Sequence, residues 1–541
     1  MKPEFIAEVQ AWIEDDPDPK TAEKLRVLLE AEDEVQLKKF FSGFLQFGTA
    51  GLRGPLGPGP SSMNRAVVGR TAAGLANFMK IHGLSSVVIG RDARHGSEEF
   101  TFESAEIMSG AGMKVFVLPR PLPTPVLAYA VKELGVDVGI MVTASHNPPE
   151  DNGYKVYLGG IVEGINYAGS QIVSPTDLHI SHEIANISSL ASQPRGSQWT
   201  TLDDGIVQKY VERTAVLGTN PSKLRIVYTA MHGVGTETLL RVFDKAGFDA
   251  PILVAKQSEP DPDFPTVAFP NPEEPGAIDL ALETARAHSA DLVIANDPDA
   301  DRCAAAINDP IRGWRMLRGD ELGAIFGESI ARQNKKGILA NSIVSSSILK
   351  KIAEHHSLEF RETLTGFKWL AKIPGLTFGY EEAIGYCVDS QSVNDKDGIS
   401  AAIKLAQIAT DLSNEGKTLG DFLNEIWQRY GFHGTEQISI RVKDLSSISK
   451  ILTNLRETPP TTIAGYSVIS IDDLMKPKSD LPPTDGIRIW LEGNIRIIIR
   501  PSGTEAKMKC YIEVISREGS EVAQRVLDNL RAPLTQFLSV N

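Results

Sequence analysis

A chain of 541 residues is several times the usual length of one domain, so it should build three or four compact units, each burying a core of its own. It carries 69 acidic against 55 basic residues, a formal charge of -14, and no Lys/Arg-rich run that would neutralise a phosphate polymer, which argues against nucleic acid as a partner. No apolar run is long enough to span a bilayer, and Cys303, Cys387 and Cys510 lie far apart in no metal-ligand spacing, so they read as packing residues in a reducing compartment.

The first residues place Phe5, Ile6, Val9, Trp12 and Ile13 on one helical face and soon turn acidic, unlike a secretion signal. A cytoplasmic protein is expected, opening with two or so amphipathic helices that reach about Phe41. Short β-branched runs then alternate with helix-period segments, the pattern of an α/β fold. Val87-Val-Ile-Gly, Val115-Phe-Val-Leu, Val138-Gly-Ile-Met-Val, Leu224-Arg-Ile-Val-Tyr, Pro251-Ile-Leu-Val and Asp291-Leu-Val-Ile-Ala are the candidate buried strands. Several run straight into polar loops, and ligands in open α/β sheets sit beyond the carboxyl ends of the strands. The Ser/Gln-rich stretch 187–201 reads as a surface segment, 308–313 as a break, and the texture changes near Gly431. Gln437-Ile-Ser-Ile-Arg-Val and Asn494-Ile-Arg-Ile-Ile-Ile-Arg are strands of a smaller α+β domain. The expected division is 1–205, 206–311, 312–431 and 432–541.

Five loops carry candidate chemistry. Met141-Val-Thr-Ala-Ser-His-Asn-Pro-Pro sets a hydroxyl beside an imidazole, and Asn147-Pro148 forces a turn that should present Ser145 outward. Ser145 is the nucleophile candidate, with Lys155 close enough in sequence to bring a cation to an anion held there; an exposed turn satisfying its own backbone is the plainer alternative. The loop is not a G-x-S-x-G elbow, so a hydrolase triad finds no support. Asp297-Pro-Asp-Ala-Asp-Arg follows a strand, and Pro298 keeps it from continuing as a regular helix. Three clustered carboxylates repel unless a cation neutralises them, and oxygen-only ligation favours magnesium, manganese or calcium over zinc. An EF-hand is excluded because Arg302 stands where that loop needs glycine.

Arg500, Ser502, Gly503 and Thr504 supply a guanidinium fork, two hydroxyls and free backbone amides, the chemistry of a phosphate cradle, or of a plain hairpin turn. Phe47-Gly-Thr-Ala-Gly-Leu-Arg-Gly is glycine-rich without the Gly-Lys-Ser/Thr ending of a nucleotide loop, and Arg53 is its one catalytic candidate. Glu381 and Glu382 follow a strand, where they could accept hydrogen bonds from sugar hydroxyls or simply open a helix. Thr365, Lys368 and Lys396 flank them with a hydroxyl and two cations that would serve equally as solvated surface groups.

Taken in order, Phe-Gly-Thr-Ala-Gly-Leu-Arg, Thr-Ala-Ser-His-Asn-Pro, Asp-Pro-Asp-Ala-Asp-Arg, Glu-Glu-Ala-Ile-Gly-Tyr and Arg-Pro-Ser-Gly-Thr-Glu resemble the α-D-phosphohexomutase superfamily over nearly the whole chain, its phosphoglucomutase/phosphopentomutase-like branch most closely. The resemblance implies three α/β domains with mixed sheets and a smaller C-terminal α+β domain around a central cleft. It implies a phosphoserine at Ser145 that ligates magnesium with Asp297, Asp299 and Asp301, and Arg53, His146 and Lys155 around the reacting phosphate. Arg302, Thr365, Glu381, Ala383 and Lys396 would contact the sugar phosphate, while Arg500, Ser502, Gly503 and Thr504 would hold the distal phosphate. Two departures stand out: Ala383 lies where many relatives carry a sugar-binding serine, and Ala506 replaces a frequent proline.

The implied reaction is a phosphosugar mutase reaction through a sugar 1,6-bisphosphate, which also serves as activator. Glucose 1-phosphate is the first choice, with mannose and pentose phosphates as alternatives. A non-catalytic sugar-phosphate-binding protein and a metal-dependent phosphatase are the rival classes, and His146 and Lys155 are both candidates for the general base. No motif speaks to the oligomeric state.

Overall fold

The computed structural model describes residues 1–539 except 49, 220, 222–223, 311, 442–444, 479–480 and 502–506. The chain forms two compact units, one of Met1–Leu317, Ala371–Pro374 and Gly385–Asp411, the other of Arg318–Leu370, Gly375–Ile384 and Leu412–Asn541.

The first unit opens with Pro3–Asp15, Pro19–Glu30 and Glu34–Phe40, three helices where the hydropathy pattern predicts about two. Asp18 and Asp33 explain the extra break: each carboxylate accepts a hydrogen bond from a backbone N–H of the following turn, Lys20 at 2.9 Å and Gln36 at 3.0 Å, and so starts a new helix. Of the predicted apolar face, Val9, Trp12 and Ile13 are buried.

The sheet that follows runs Leu52–Pro55, Asp151–Leu158, Val138–Val142, Ser86–Arg91, Lys114–Val117 and Thr200–Thr201. Val138–Val142, Ser86–Arg91 and Lys114–Val117 are parallel, and Asp151–Leu158 is antiparallel to Leu52–Pro55, Val138–Val142 and the short Ser170–Gln171, so the sheet is mixed. Every residue of Val138–Val142 is buried, as a strand covered on both faces requires; each such Val or Ile contributes about 1.5–3 kcal/mol. Register then sets chemistry in place. Lys155 lies opposite Met141, and Arg53 opposite Gly153. A Cβ at Gly153 would stand 2.5 Å from Thr143 O and 2.8 Å from Leu52 O, so only glycine lets these three segments close up. The stretch 187–201 is not a plain surface segment: Leu190 is fully buried, its N–H donates to Asp15 at 2.8 Å, and Thr200–Thr201 forms the sheet edge.

A second sheet of this unit runs Ile252–Leu253, Ile226–Thr229, Leu292–Ala295, Ala304–Asp309 and Gly313–Met316, the first three parallel and the last two antiparallel additions. Leu292–Ala295 is buried throughout and delivers the aspartate loop at its carboxyl end. The expected break at 308–313 therefore falls where these two antiparallel strands meet, Asn308 and Asp309 pairing with Trp314 and Gly313. The helix Gly398–Asn414 completes the unit up to Asp411; Asp397 Oδ1 accepts from the N–H groups of Ile399 and Ser400 at 3.0 Å each and caps this helix.

In the second unit, Glu359–Thr363, Ile338–Ser342 and Leu376–Glu381 pair in parallel, with helices Gly319–Gln333, Ile348–His355 and Leu419–Tyr430. The C-terminal part is an antiparallel sheet in the order Phe432–Arg441, Lys507–Ser516, Ile495–Pro501, Ile487–Leu491, Tyr466–Asp473 and Thr462–Ile463. Alternate residues Ile487, Ile489 and Leu491 join Leu527, Leu530 and Leu534 of helix Ser520–Ser539 in one apolar core. The α/β class with mixed sheets and a C-terminal α+β portion is thus as the sequence predicts. Among the described residues no helix is long and apolar enough to cross a membrane, and the three cysteines are free and buried.

Candidate active site

The loop after Val138–Val142 turns Ser145 inward, not outward as its Asn-Pro turn suggests. Ser145 is 3% exposed and adopts φ +53°, a conformation that costs a non-glycine residue roughly 1–2 kcal/mol. Its N–H donates to Thr143 Oγ1 at 2.8 Å, and its hydroxyl donates to Asp297 Oδ2 at 2.8 Å with His146 Nδ1 3.2 Å away. The aspartate loop, about 150 residues downstream, supplies the cover that sequence alone could not show. Arg53 donates to Asn147 Oδ1 at 3.1 Å from the neighbouring strand. Burial, with Arg302 and Arg53 nearby, holds the His146 imidazole well below its usual pKa and so keeps it neutral.

Asp297, Asp299 and Asp301 are buried, and one carboxylate oxygen from each lies within 4.8 Å of the others. Asp299 Oδ2 accepts from Thr124 Oγ1 and from Lys155 Nζ, both at 2.7 Å; Asp301 Oδ2 lies 3.0 Å from Lys155 Nζ and 3.3 Å from Lys396 Nζ. Burial works against charge on Asp301, but Lys155, Lys396 and Arg302 outweigh it and hold the carboxyl well below the usual range. Asp297 moves the other way: burial and its two acidic neighbours push it well up, although Arg302 N donates to its Oδ1 at 3.0 Å. Asp299 Oδ1 and Asp301 Oδ1 are buried and have no hydrogen-bond partner among the described residues. Orphaned, converging carboxylate oxygens of this kind fit a hard cation with oxygen ligation, so the triad can bind a metal.

The first unit therefore brings together Ser145, His146, Lys155, Arg53, Asp297, Asp299, Asp301, Arg302 and Lys396. The remaining predicted residues that are described lie in the second unit. Glu381 ends Leu376–Glu381, and its Oε1 accepts from Gly366 N at 2.6 Å, beside Thr365. Glu382 Oε2 accepts from the hydroxyls of Ser342 and Ser345 at 3.1 Å each; burial, with Glu381 and Asp320, pushes its carboxyl up to about 7. These residues do not open a helix. Ala383 follows in the turn, and Lys368 sits in the short helix Phe367–Leu370. Arg500, half-buried, stands opposite Lys509 near the end of Ile495–Pro501. Ser502, Gly503 and Thr504 lie outside the described residues.

Sequence reasoning missed Arg94, Thr124 and Asn147. Arg94 is 4% exposed, and its guanidinium donates to four carbonyls of the serine loop: Ser145 at 2.6 Å, Asn147 at 2.5 Å, Pro148 at 2.8 Å and Asp151 at 3.1 Å. The only signal was its place in the polar loop Arg91-Asp-Ala-Arg-His at the end of a buried strand.

The chain matches the family described as phosphoglucomutase/phosphomannomutase in its three alpha/beta/alpha domains: domain I over residues 45–187, domain II over 207–312 and domain III over 318–430. A protein of Haemophilus influenzae named "Probable phosphomannomutase" is 47% identical over 471 residues, spanning 86% of this chain and 95% of that one. A phosphopentomutase of Mus musculus is 33% identical over 586 residues, spanning 97% and 93%, and a phosphoglucomutase of Staphylococcus haemolyticus 34% over 520 residues, spanning 90% and 93%. Among solved structures, a phosphoglucomutase/phosphomannomutase family protein from Burkholderia thailandensis superposes with a TM-score of 0.71 at 20% identity, over 91% of this chain and 97% of that one, so the two share a fold.

Proposed function

We propose, from the premise that this chain belongs to the α-D-phosphohexomutase superfamily and is an enzyme of intramolecular phosphoryl transfer, that it interconverts a sugar 1-phosphate and 6-phosphate through phospho-Ser145. The observation that carries this reading is the buried Ser145 hydroxyl, 2.8 Å from Asp297 and 3.2 Å from His146, facing a carboxylate triad backed by Lys155 and Lys396. Four domains over 1–205, 206–311, 312–431 and 432–541 belong to the same reading.

The two sugar oxygens are too far apart for one in-line displacement, so a carrier is needed. Phospho-Ser145 gives its phosphoryl group to the free hydroxyl at C6: the bond from phosphorus to Oγ breaks, the bond to O6 forms, and the O6 proton passes, by way of a base for which His146 and Lys155 are the candidates, to the leaving Oγ. The sugar 1,6-bisphosphate then turns over, and Ser145 Oγ takes back the phosphoryl from O1 while its own proton passes through the same base to O1. Arg53, Lys155 and His146 surround the group in transfer, and Lys155 and Lys396 keep Asp299 and Asp301 charged. Asp297, Asp299 and Asp301 would hold magnesium, which supplies neutralisation of the transferring phosphoryl group. Arg302, Thr365, Lys368, Glu381, Glu382, Ala383 and Lys396 are assigned to the sugar phosphate, and Arg500, Ser502, Gly503 and Thr504 to the distal phosphate.

Glucose phosphate is the first substrate of this reading, supported by the phosphoglucomutase relatives; mannose phosphate is the second, supported by the relative at 47% identity. The test is turnover of purified protein with magnesium and catalytic glucose 1,6-bisphosphate against glucose 1-, mannose 1- and ribose 1-phosphate, following both isomer and free phosphate. Isomer formation abolished by Ser145→Ala is expected, and the ratio of rates names the sugar. Free phosphate without isomer would replace the mutase with a phosphatase.

A further inference from the structure

We propose that Arg94 is the positioning residue of the nucleophile, holding the serine loop in the strained form that aims Ser145 Oγ while contacting no substrate itself. The inference rests on the reading of Ser145 as phosphoryl carrier.

Four carbonyls of the loop, those of Ser145, Asn147, Pro148 and Asp151, converge on one guanidinium. Carbonyl dipoles pointing at a common centre repel one another, so this backbone arrangement needs a donor with several N–H groups in a planar fork. Arginine has that shape and lysine does not. The fork is itself fixed from behind. Asp92 Oδ2 lies 3.4 Å from Arg94 Nε, while Asp92 Oδ1 accepts from Arg94 N at 3.0 Å and from Ser97 Oγ at 2.7 Å. The Phe264 ring lies 4.8 Å from the guanidinium carbon and packs against it.

The main link to chemistry runs through Ser145. Its carbonyl is pinned by Arg94 and its N–H by Thr143, so both peptide planes flanking the φ +53° residue are tied. With these ties the hydroxyl points to Asp297; without the Arg94 tie the residue is free to relax to negative φ, which swings Oγ away. A misplacement of about 1 Å at a reacting atom costs on the order of a hundredfold in rate. Substrate affinity has no reason to change, because the guanidinium faces the inside of the loop.

The experiment compares Arg94→Lys and Arg94→Ala with wild type and Ser145→Ala as full-length proteins, by steady-state kinetics and by labelling of Ser145 from radiolabelled glucose 1,6-bisphosphate. The expected result is a kcat lowered about a hundredfold in both Arg94 variants, KM within about threefold of wild type, slowed labelling, and partial recovery of Arg94→Ala in millimolar guanidinium. Arg94→Lys keeps a cation beside Asp92 and carries the test if the alanine variant does not fold. A kcat per folded molecule equal to wild type in Arg94→Lys, or a KM that rises while kcat holds, overturns the proposal. If wild type itself neither labels nor isomerises, the phosphoserine reading fails and the proposal falls with it.

Discussion

Replacing Lys155 by methionine keeps most of the side-chain volume and removes one buried charge. Its Nζ lies 2.7 Å from Asp299 and 3.0 Å from Asp301, and the three side chains are 6%, 0% and 1% exposed. In the variant Asp301 keeps Lys396 at 3.3 Å, but Asp299 keeps only the Thr124 hydroxyl. Removing one partner from a buried ionic cluster costs about 3–5 kcal/mol, because the remaining charge stays buried without compensation. The first unit has about 350 residues, which at the usual entropy per residue gives an unfolding entropy near 0.7 kcal/mol/K, so its melting temperature should fall by about 4–7 °C. A cation at a hundred times its Kd returns about 2.7 kcal/mol. With Lys155 gone the cation is left to compensate Asp299, so it should stabilise the variant more than wild type, and the calorimetric gap seen in EDTA should narrow in millimolar magnesium. A variant within about 1 °C of wild type in EDTA would refute the view that this ammonium compensates the aspartates.

Gly153→Ala should lower stability by about 1–3 kcal/mol and depress turnover, since the new Cβ meets backbone oxygens of both neighbouring segments; thermal melts and kcat together check it. Removal of divalent cations by EDTA should abolish turnover, and magnesium should restore it, leaving far-UV circular dichroism unchanged. Glu382, whose carboxyl is pushed up to about 7, binds more protons folded than unfolded between its ordinary value of 4.5 and 7, so its contribution to stability falls as pH rises through that window. Glu382→Gln should accordingly gain melting temperature relative to wild type between pH 5 and pH 8; a difference that stays constant with pH refutes this.

Strand and loop chemistry were legible wherever an apolar β-branched run abuts a polar motif, as at Val138–Val142 with Ser145 and at Leu292–Ala295 with Asp297, because burial on both faces leaves an unbroken apolar run in the chain itself. The orientation of Ser145 was not legible. An Asn-Pro turn normally faces water, and what covers this one arrives 152 positions later. Arg94 was hidden for a related reason: an arginine in a polar loop looks like a surface charge, and its partners are backbone carbonyls 51 to 57 positions away that carry no side-chain signature. The stretch 187–201 misled through composition, since its polar residues bind Asp15 and one leucine fills the core.

The first unit's discontinuity bears on how the enzyme is made. Asp301 emerges from the ribosome well before Lys396, and the roughly 95 residues between them take about 5–20 s to synthesise. During that interval the nascent chain holds the aspartate loop and Lys155 but lacks the helix at Gly398–Asn414 and the second ammonium, so the nucleophile's surroundings cannot close until the segment Gly385–Asp411 has left the exit tunnel. A premature stop after the aspartate loop would leave no half-active remnant, only a core with its last wedge missing.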